Sequence, residues 1–289
     1  MVNTQFVFQN LAGRYDEIRE LSNSGGQENL SASLIKDIKI NFPFSLPEQQ
    51  KIADFLSQID RKIELLTQKK QGLERYKKGI MQQIFSQQLR FKDDNGQDFP
   101  EWEEKSLGDV FYDVKGYGLS KEKLTSNGKY KCILYGQLFT TYSEVIKNVF
   151  SSTNFDDGVK SKIGDILLPS STTTKGIDLA NASSLNEENV VLGGDIIILR
   201  FKKIGCSDYF SYYLTHAKNK EIAEITQGIT IIHLYFKQLS TISIEIPCVE
   251  EQTKIANFLT DLDNKINLAE KQLNGTKQYK KGLLQQLFV

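Results

Sequence analysis

The side chains that could do chemistry lie in three short segments rich in hydroxyl and cationic groups. The segment SSTTTK (170–175) is a run of hydroxyls that ends in Lys175, and it follows a predicted strand. VKGYGLSK (114–121) combines basic residues, an aromatic ring and glycines, and RFKK (200–203) clusters three cations. Serine and threonine hydroxyls donate to phosphates and can read the edges of bases. Each segment is equally compatible with a solvated loop, so none alone indicates a nucleic-acid contact.

Catalytic and metal-binding patterns are missing from the sequence. The five prolines are never adjacent, which excludes the N/D-P-P-Y/F loop of an amino-methyltransferase, and no G-x-x-x-x-G-K-[ST] phosphate loop occurs. EWEEK (101–105) resembles part of a nuclease acid-and-lysine pair but lacks a partner acid. His216 and His233 show no metal-ligand spacing with the cysteines. We expect both to be structural, or His233 to make a polar contact at a domain edge. We therefore expect no catalytic residue, no metal and no cofactor.

Composition limits the class of protein. Lys and Arg number 36, as do Asp and Glu, so the formal net charge is zero and the chain lacks an overall basic footprint. The sequence has no apolar run of 18 residues and no signal-peptide layout at its N-terminus. Three scattered cysteines without a pairing pattern suit a reducing cytoplasm. These are Cys132, Cys206 and Cys248.

The candidate segments fall within 101–246, which we predict to be a strand-rich α+β domain. Short apolar, β-branched runs bounded by Gly, Asn and Asp, such as GDILLPSS and NVVLGGDIIILRF, predict strands. Residues 208–225 have apolar spacing closer to that of a helix. The domain carries 16 basic and 18 acidic residues, a net charge of −2. A polar, turn-rich linker (88–100) precedes it.

A long internal repeat brackets this domain. When the chain is shifted by 203 residues, 51–85 falls on 254–288 with 17 of 35 positions identical. The match ends in YKKGIMQQIF (76–85) and YKKGLLQQLF (279–288). Identity of this density indicates an internal duplication.

The repeated segment has the a/d pattern of a coiled coil. Each copy predicts a helix of roughly 35–40 residues, about 55–60 Å long, and two such helices in one chain would bury their apolar stripes by packing antiparallel. Lys70 and Lys77 interrupt the first stripe. The predicted interface comprises Ile52, Leu56, Ile59, Ile63, Leu66, Leu73, Ile80 and Ile84 in the first copy and Ile255, Leu259, Leu262, Ile266, Leu273, Leu283 and Leu287 in the second.

A weaker match extends upstream of both helices. SLIKDIKINFPFSLPEQQ (33–50) is similar to KQLSTISIEIPCVEEQT (237–253) with a one-residue slip, and residues 15–30 face residues 219–234. We therefore interpret 1–46 as the C-terminal part of a domain like 101–246. The predicted order is this remnant, a helix at 47–87, the linker 88–100, the domain 101–246 and a second helix at 247–289.

The repeated motif EQ-x-KIA-x-FL…D-x-KI…YKKGLLQQLF, together with FPEWEEKSLGDVF, LYGQL, GDILLPSS and QGITIIHL, resembles the specificity (S) subunit of type I restriction–modification systems. The resemblance covers nearly the whole chain. It implies two target-recognition domains that each read half of a split DNA sequence, set apart by two long antiparallel helices. It also implies a non-catalytic chain that binds two adenine-methylating modification (M) subunits, joined by restriction (R) subunits for cleavage.

The sequence departs from that pattern because only one recognition domain is complete. The chain could read one half-site, or two S chains could associate and read a symmetric pair. The alternative function is a coiled-coil scaffold or regulatory fragment that binds M subunits or a second S chain without reading DNA. The residues we predict to contact double-stranded DNA are Lys115, Tyr117, Tyr135, Gln137, Thr172, Thr173, Thr174, Lys175, Thr230 and His233. Among them, Gln137 suits a bidentate contact to adenine and the two lysines suit phosphates.

Overall fold

Two long helices and several short ones form the helical part of the chain. The computed structural model describes residues 1–21 and 30–288. The helices are α1 (Thr4–Gly13), α2 (Tyr15–Glu20), α3 (Ala32–Asp37), α4 (Leu46–Phe85), α5 (Leu107–Val110), α6 (Gln137–Thr140), α7 (Ser207–His216), α8 (Asn219–Glu224), α9 (Phe236–Leu239) and α10 (Val249–Leu287). Short 3-10 turns occur at Lys121–Lys123 and Gly176–Ala180. The prediction of two long helices is confirmed, since α4 has 40 residues and α10 has 39.

The strands all lie between the two long helices. They are β1 (Glu103–Ser106), β2 (Phe111–Lys115), β3 (Tyr130–Ile133), β4 (Val145–Ile146), β5 (Ser151–Thr153), β6 (Val159–Lys160), β7 (Asp165–Pro169), β8 (Ser171–Thr172), β9 (Ser183–Leu185), β10 (Val191–Leu192), β11 (Ile196–Phe201), β12 (Ile232–His233) and β13 (Ser243–Ile246). The main sheet has the order β2-β11-β7-β9-β4, and a second sheet has the order β5-β3-β10-β6. Two small pairs, β1-β13 and β12-β8, complete the domain. The predicted strand-rich α+β class is confirmed.

The chain folds into two compact units, and the first of them, Met1–Tyr76 with Leu262–Val289, contains most of the helix pair. Lys70 Nζ lies 2.8 Å from Glu270 Oε1, and Lys280 Nζ lies 2.6 Å from Asp60 Oδ1. Residue numbers therefore rise along α4 while they fall along α10, which makes the helices antiparallel as predicted. Lys70, which interrupts the apolar stripe, is accommodated because Glu270 neutralises it.

The members of the predicted apolar interface are buried or half-buried, with the exception of Leu287. Leu56 is fully buried in the first unit, whereas Leu287 in the last turn of α10 is 37% exposed. The buried members are Leu56, Ile59, Ile84, Ile255, Leu259, Leu262 and Leu273. The half-buried members are Ile52, Ile63, Leu66, Leu73, Ile80, Ile266 and Leu283.

The second unit, Lys77–Asp261, contains the described strands, the C-terminal end of α4 and the N-terminal end of α10. Its core is formed by buried aliphatic side chains from both larger sheets, including Ile133, Leu167, Leu192 and Ile198. Helix α7 packs on β7 and β9. Aromatic residues of α7 also meet the end of α4, where the rings of Phe85 and Tyr213 lie 5.4 Å apart. Burying this apolar surface supplies the driving force that holds the domain on the helices.

The weaker upstream repeat has matching helices. Helices α1 and α7 have ten residues each and begin 203 residues apart, while α2 and α8 have six each and begin 204 apart. The match differs at 38–42, where the chain forms no strand although its counterpart contains β13. Strand β13 pairs with β1, and no described residue near 38–42 offers a comparable partner. Residues 22–29 of the match lie outside the described residues.

An equivalent glutamine near the start of each long helix makes the same pair of hydrogen bonds to the backbone. In the first unit, Gln49 Oε1 accepts from the backbone N–H of Asn3 at 2.8 Å, and its Nε2 donates to Pro43 O at 2.7 Å. In the second unit, Gln252 Oε1 accepts from the N–H of Cys206 at 3.0 Å and its Nε2 donates to Pro247 O at 2.8 Å. Both glutamines are buried. The duplication therefore preserves a specific contact as well as a hydrophobic pattern.

Candidate nucleic-acid interface

A short strand pair joins two segments that lie far apart in sequence. Strand β8 pairs antiparallel with β12, so that Ser171 faces His233 and Thr172 faces Ile232. The backbone N–H of Leu234 also donates to Ser170 O at 2.9 Å. This pairing places the start of the hydroxyl run beside the segment that carries His233.

The paired segments form one wall of an open cleft of about 650 Å³. Tyr135 and Phe139, whose ring centroids lie 6.4 Å apart, provide an aromatic wall. The lining residues are Tyr135, Gly136, Phe139, Thr140, Ser171, Thr172, Thr173, Thr174, Asp178, Asn181, Asp195, Ile231 and His233. Five predicted contact residues thus come together here: Tyr135, Thr172, Thr173, Thr174 and His233.

The start of the hydroxyl run is not a solvated loop. Ser171 and Thr172 form strand β8 and are only 7% exposed, so a solvated-loop interpretation is wrong for these two residues. Thr172 Oγ1 lies 2.8 Å from Thr174 Oγ1, and Thr174 in turn donates to Asp178. Thr173 is exposed and lines the cleft. Its hydroxyl is the one in this run best placed to meet a ligand.

The turn before β12 carries exposed apolar and hydroxyl groups. Gln227 and His233 exchange two backbone hydrogen bonds, of 2.9 and 2.7 Å, which close the turn. Gly228 has a φ of +121°, and a Cβ there would lie 2.0 Å from Ile231 O, so only glycine fits. Ile229 is 99% exposed, and Thr230 is also exposed but does not line the cleft.

Lys115 lies at the same end of the main sheet as the cleft. It ends β2 and pairs with Ile197, while Ile196 pairs with Pro169 at the end of β7. Neighbouring strands lie about 4.8 Å apart, so Lys115 is roughly two strand spacings from the residue that precedes the hydroxyl run. Tyr117 follows on a loop, is 55% exposed and donates to Asp157 at 3.3 Å.

Gln137 and Lys175 lie outside the cleft lining. Gln137 Nε2 donates to Ser151 Oγ at 2.6 Å, and its Oε1 accepts from the N–H of Leu134 at 2.9 Å. A bidentate contact to adenine would require both internal hydrogen bonds to break, so we leave Gln137 out of the proposed interface. Lys175 is exposed directly after Thr174 and remains placed to contact a phosphate.

The sequence reasoning missed the acidic side of the cleft. Asp178 accepts from Thr174 and from the N–H of Lys175, and Asp195 lies directly before β11 in a left-handed backbone conformation (φ 57°). The sequence features that could have revealed these two aspartates are the Gly-Gly-Asp turn before β11 and the acidic position three residues after Lys175. Among the described residues, no lysine or arginine lines the cleft. Carboxylates repel phosphates but accept hydrogen bonds from the exocyclic amine of cytosine. The lining is therefore better suited to contact base edges than the phosphate backbone of DNA.

His216 belongs to a separate charged cluster. His216 Nε2 hydrogen-bonds Glu144, and Lys77 Nζ lies 3.5 Å from Glu144 Oε1. Burial acts to raise the pKa of Glu144, but the hydrogen bond from His216 and the charge of Lys77 outweigh it and lower the pKa to about 2. This cluster links α4 to the domain, so the structural role predicted for His216 fits its position.

The described residues offer no other chemical centre. Among them, no group of three His, Cys, Asp or Glu side chains could hold a metal ion. Burial raises the pKa of the Cys132 thiol to about 11, which leaves it protonated and unreactive at neutral pH. In the described part of the chain, no helix is both long and apolar enough to cross a membrane.

Comparison with known proteins identifies the family. The family model described as type I restriction modification DNA specificity domain matches residues 2–75 and 100–278. The chain belongs to this family. The two matched segments fall on the two copies of the repeat. Type I specificity subunits are not the catalytic components of their systems, so the prediction of a non-catalytic chain is confirmed.

Relatives and solved structures of this family agree with the fold. The chain is 26% identical over 274 residues to a protein of Methanocaldococcus jannaschii named for the MjaX type I restriction enzyme specificity subunit, covering 89% of this chain and 60% of the relative. The chain thus spans about three fifths of that relative's length. The MjaVIII specificity subunit of the same organism is 24% identical, with 96% of this chain and 68% of the relative covered. A crystal structure of an S subunit from M. genitalium matches with a TM-score of 0.66 at 20% identity, covering 100% and 73% of the two chains.

Proposed function

We propose that the chain reads one half-site of double-stranded DNA through the cleft at the end of the main sheet and binds M subunits through its long helices. The observation that carries this proposal is the β8–β12 pairing, which brings Thr172, Thr173 and His233 to the cleft that also contains Tyr135. Hydroxyls, an imidazole and an aromatic ring on one concave surface suit hydrogen bonding to base edges.

The predicted domain order is part of the proposal. Residues 1–46 would be the last part of a first recognition domain, 47–87 the central helix, 88–100 the linker, 101–246 the complete recognition domain and 247–289 the distal helix. The paired glutamines Gln49 and Gln252, with their equivalent backbone partners, support this order. On this assignment R subunits would join through the assembled complex, and a cytoplasmic location stays a prediction.

Charge predicts that the chain alone binds DNA weakly. Counterion release by cations supplies much of the affinity of proteins for DNA, whereas this domain has a net charge of −2. We expect tight binding only with M subunits present. A gel shift in physiological salt tests this, and nanomolar specific binding by the chain alone would contradict it.

Methylation by a reconstituted complex of this chain and M subunits tests half-site reading. We expect Thr173→Val to change or relax the methylated sequence, because it removes an exposed hydroxyl from the cleft. Lys175→Ala should instead weaken binding to all DNA sequences alike. It should also lower the slope of log affinity against log salt concentration by about 1, which corresponds to one phosphate contact. Lys162→Ala is the matched control, since Lys162 is exposed and precedes the opposite end of β7. An unchanged methylome in Thr173→Val, together with equal effects of the two lysine variants, would contradict the assignment.

The second candidate function is a scaffold that binds M subunits or a second S chain without reading DNA. The acidic pair Asp178 and Asp195 favours the scaffold, because the described residues that line the cleft include no lysine or arginine to bind phosphates. Co-purification with M subunits without any new methylated site would support the scaffold, while methylation of a single defined half-site would exclude it. Light scattering would show whether two S chains associate.

A further inference from the structure

One isoleucine of the second unit is almost fully exposed to solvent. Ile229 is 99% exposed, which is the highest value for a large apolar side chain among the described residues of that unit. It lies at the tip of the turn that precedes β12, next to the exposed Thr230. Aliphatic side chains that are exposed singly are common on protein surfaces and need no explanation by themselves. The backbone of this turn and its position in the domain distinguish Ile229 from such cases.

Both arms of the turn are fixed to the body of the domain. On the first arm, Thr226 packs directly against Gly176, where a Cβ would lie 2.6 Å from the threonine Oγ1. On the second arm, Leu234 is 1% exposed and its N–H donates to the carbonyl of Ser170 at 2.9 Å. The two backbone hydrogen bonds described above close the turn between these contacts. A constrained backbone therefore holds the side chain of Ile229 out in solvent.

The turn also places this isoleucine beside the cleft. Ile231 and His233 line the cleft, whereas Ile229 and Thr230 do not. The tip therefore extends beyond the surface from which His233 would contact the edge of a base. Ile231 is itself 49% exposed, so two aliphatic side chains lie at this border of the cleft, two residues apart. A ligand in the cleft would have an apolar tip next to it.

The charge of the cleft indicates what this tip would contact. Asp178 and Asp195 lie in the lining, and carboxylates repel the phosphates of DNA. An aliphatic side chain can instead contact the flat face of any base, because that contact requires neither a charge nor a hydrogen-bond donor. Architectural DNA-binding proteins insert isoleucine, leucine or phenylalanine between base pairs, which partly unstacks the step and kinks the duplex. Removing a fully exposed isoleucine from water offsets part of the cost of unstacking.

We propose that Ile229 is a wedge that enters one base step beside the half-site, unstacks it in part and bends the duplex there. This inference rests on the proposed function, since it requires DNA in the cleft, and it adds a specificity-determining residue that makes no hydrogen bond. Pyrimidine–purine steps are the most easily kinked or unstacked. The recognised sequence should therefore favour such a step at the point where Ile229 enters.

Fluorescence of 2-aminopurine tests the wedge in the complex of this chain with M subunits. The fluorescent base is placed in turn at positions in and beside the half-site of the duplex that the complex methylates, because unstacking raises its emission. Methyltransferases extrude their target base, so the methylated adenine itself is not replaced. We expect one further step with raised emission in the wild type and none in Ile229→Ala. Ile229→Leu should retain the signal, because leucine keeps the aliphatic volume.

Ile204→Ala is the matched control for this experiment. Ile204 is 88% exposed and follows the C-terminal end of β11, whereas Asp195 of the cleft lining precedes its N-terminal end. Ile229→Ala should weaken binding of the methylated duplex about tenfold, because the apolar contact with the bases is lost. The slope of log affinity against log salt concentration should stay unchanged, since no phosphate contact is removed. Ile204→Ala should change neither quantity, and both alanine variants should melt as the wild type does.

The contrary outcomes separate the wedge from the proposed function. A methylated half-site without any further step of raised emission would refute the wedge and leave half-site reading intact. Raised emission that persists in Ile229→Ala would assign the distortion to another residue. Loss of co-purification with M subunits in Ile229→Ala would show that the isoleucine is a protein contact instead. If the complex methylates no duplex, the proposed function fails and the wedge fails with it.

Discussion

Arg90 donates two hydrogen bonds of 2.9 Å to the fully buried carboxylate of Glu251, and this fork offers the sharpest test of how the linker is held on α10. In Glu251→Gln, the shape is kept but the charge that faces Arg90 is lost. Removing one partner of a buried pair costs about 3–5 kcal/mol. The Arg90 side chain remains 21% exposed and glutamine keeps one acceptor, so we expect a cost below that range, roughly 2–3 kcal/mol.

This cost converts into a measurable shift in melting temperature. For units of 150–250 residues, 1 kcal/mol corresponds to roughly 2–4 °C, so the second unit should melt about 5–10 °C lower. Trp102 is the chain's one tryptophan and donates to Glu251, so its fluorescence reports on this site directly. We expect its emission to shift to the red and its unfolding midpoint in denaturant to fall.

The repeat supplies the matched control for this experiment. Glu48 is the equivalent acid in the first copy and is exposed, so Glu48→Gln should change stability by no more than about 0.5 kcal/mol. Wild-type melting and emission in Glu251→Gln would refute the reasoning. Equal destabilisation by both variants would also refute it, because the cost could not then come from the buried fork.

Three further predictions follow from contacts within single units. The double variant Ile63→Asp with Ile266→Asp should lower helicity and melting temperature, because it places unpaired charges in the helix interface; unchanged circular dichroism would contradict antiparallel pairing. Gln252→Ala should destabilise by about 1–3 kcal/mol, since the N–H of Cys206 and the carbonyl of Pro247 lose their partner, and faster amide exchange at Cys206 would show it. The lowered pKa of Glu144 should stabilise the fold above its unfolded value of 4.5, and this contribution should be lost as pH falls from 4.5 to about 2. It is worth up to roughly 3 kcal/mol, and Glu144→Gln should flatten acid unfolding in that window.

The helices could be predicted from the sequence because their signal is periodic and present twice. Leu56 and Ile63 lie one heptad apart in α4, as Leu259 and Ile266 do in α10, and a pattern sustained over nearly five heptads leaves little freedom in where a helix begins and ends. The last turn of α10 was the exception, because Leu287 fits the heptad pattern but is 37% exposed.

The cleft could be predicted only in fragments. Thr172 and His233 were both selected as contact residues, but their adjacency depends on two strands of two residues each that lie about 60 residues apart. Strands this short carry no alternation from which a pairing can be inferred. Gln137 was selected for its chemistry, yet the sequence could not show that Ser151 and Leu134 already use its amide.

The fork on Glu251 was missed for a related reason. The acids Glu48 and Glu251 precede the glutamines in both copies of the repeat, so the sequence showed a pair of recurring carboxylates. It gave no sign that only the second of them is buried, because burial depends on the linker folding back through Arg90.

Because the glutamine contacts involve only backbone groups of the neighbouring segment, the segment before each long helix could be replaced by another. Gln252 grips its domain through one backbone N–H and one backbone carbonyl, and Gln49 does the same with different neighbours. Neither bond depends on the identity of a side chain in the domain. Any domain that places a backbone N–H before a helix equivalent to α7 and a proline carbonyl before the long helix would make the same two hydrogen bonds with the glutamine. The segment that precedes each long helix could therefore vary in sequence while the two glutamine contacts stay constant.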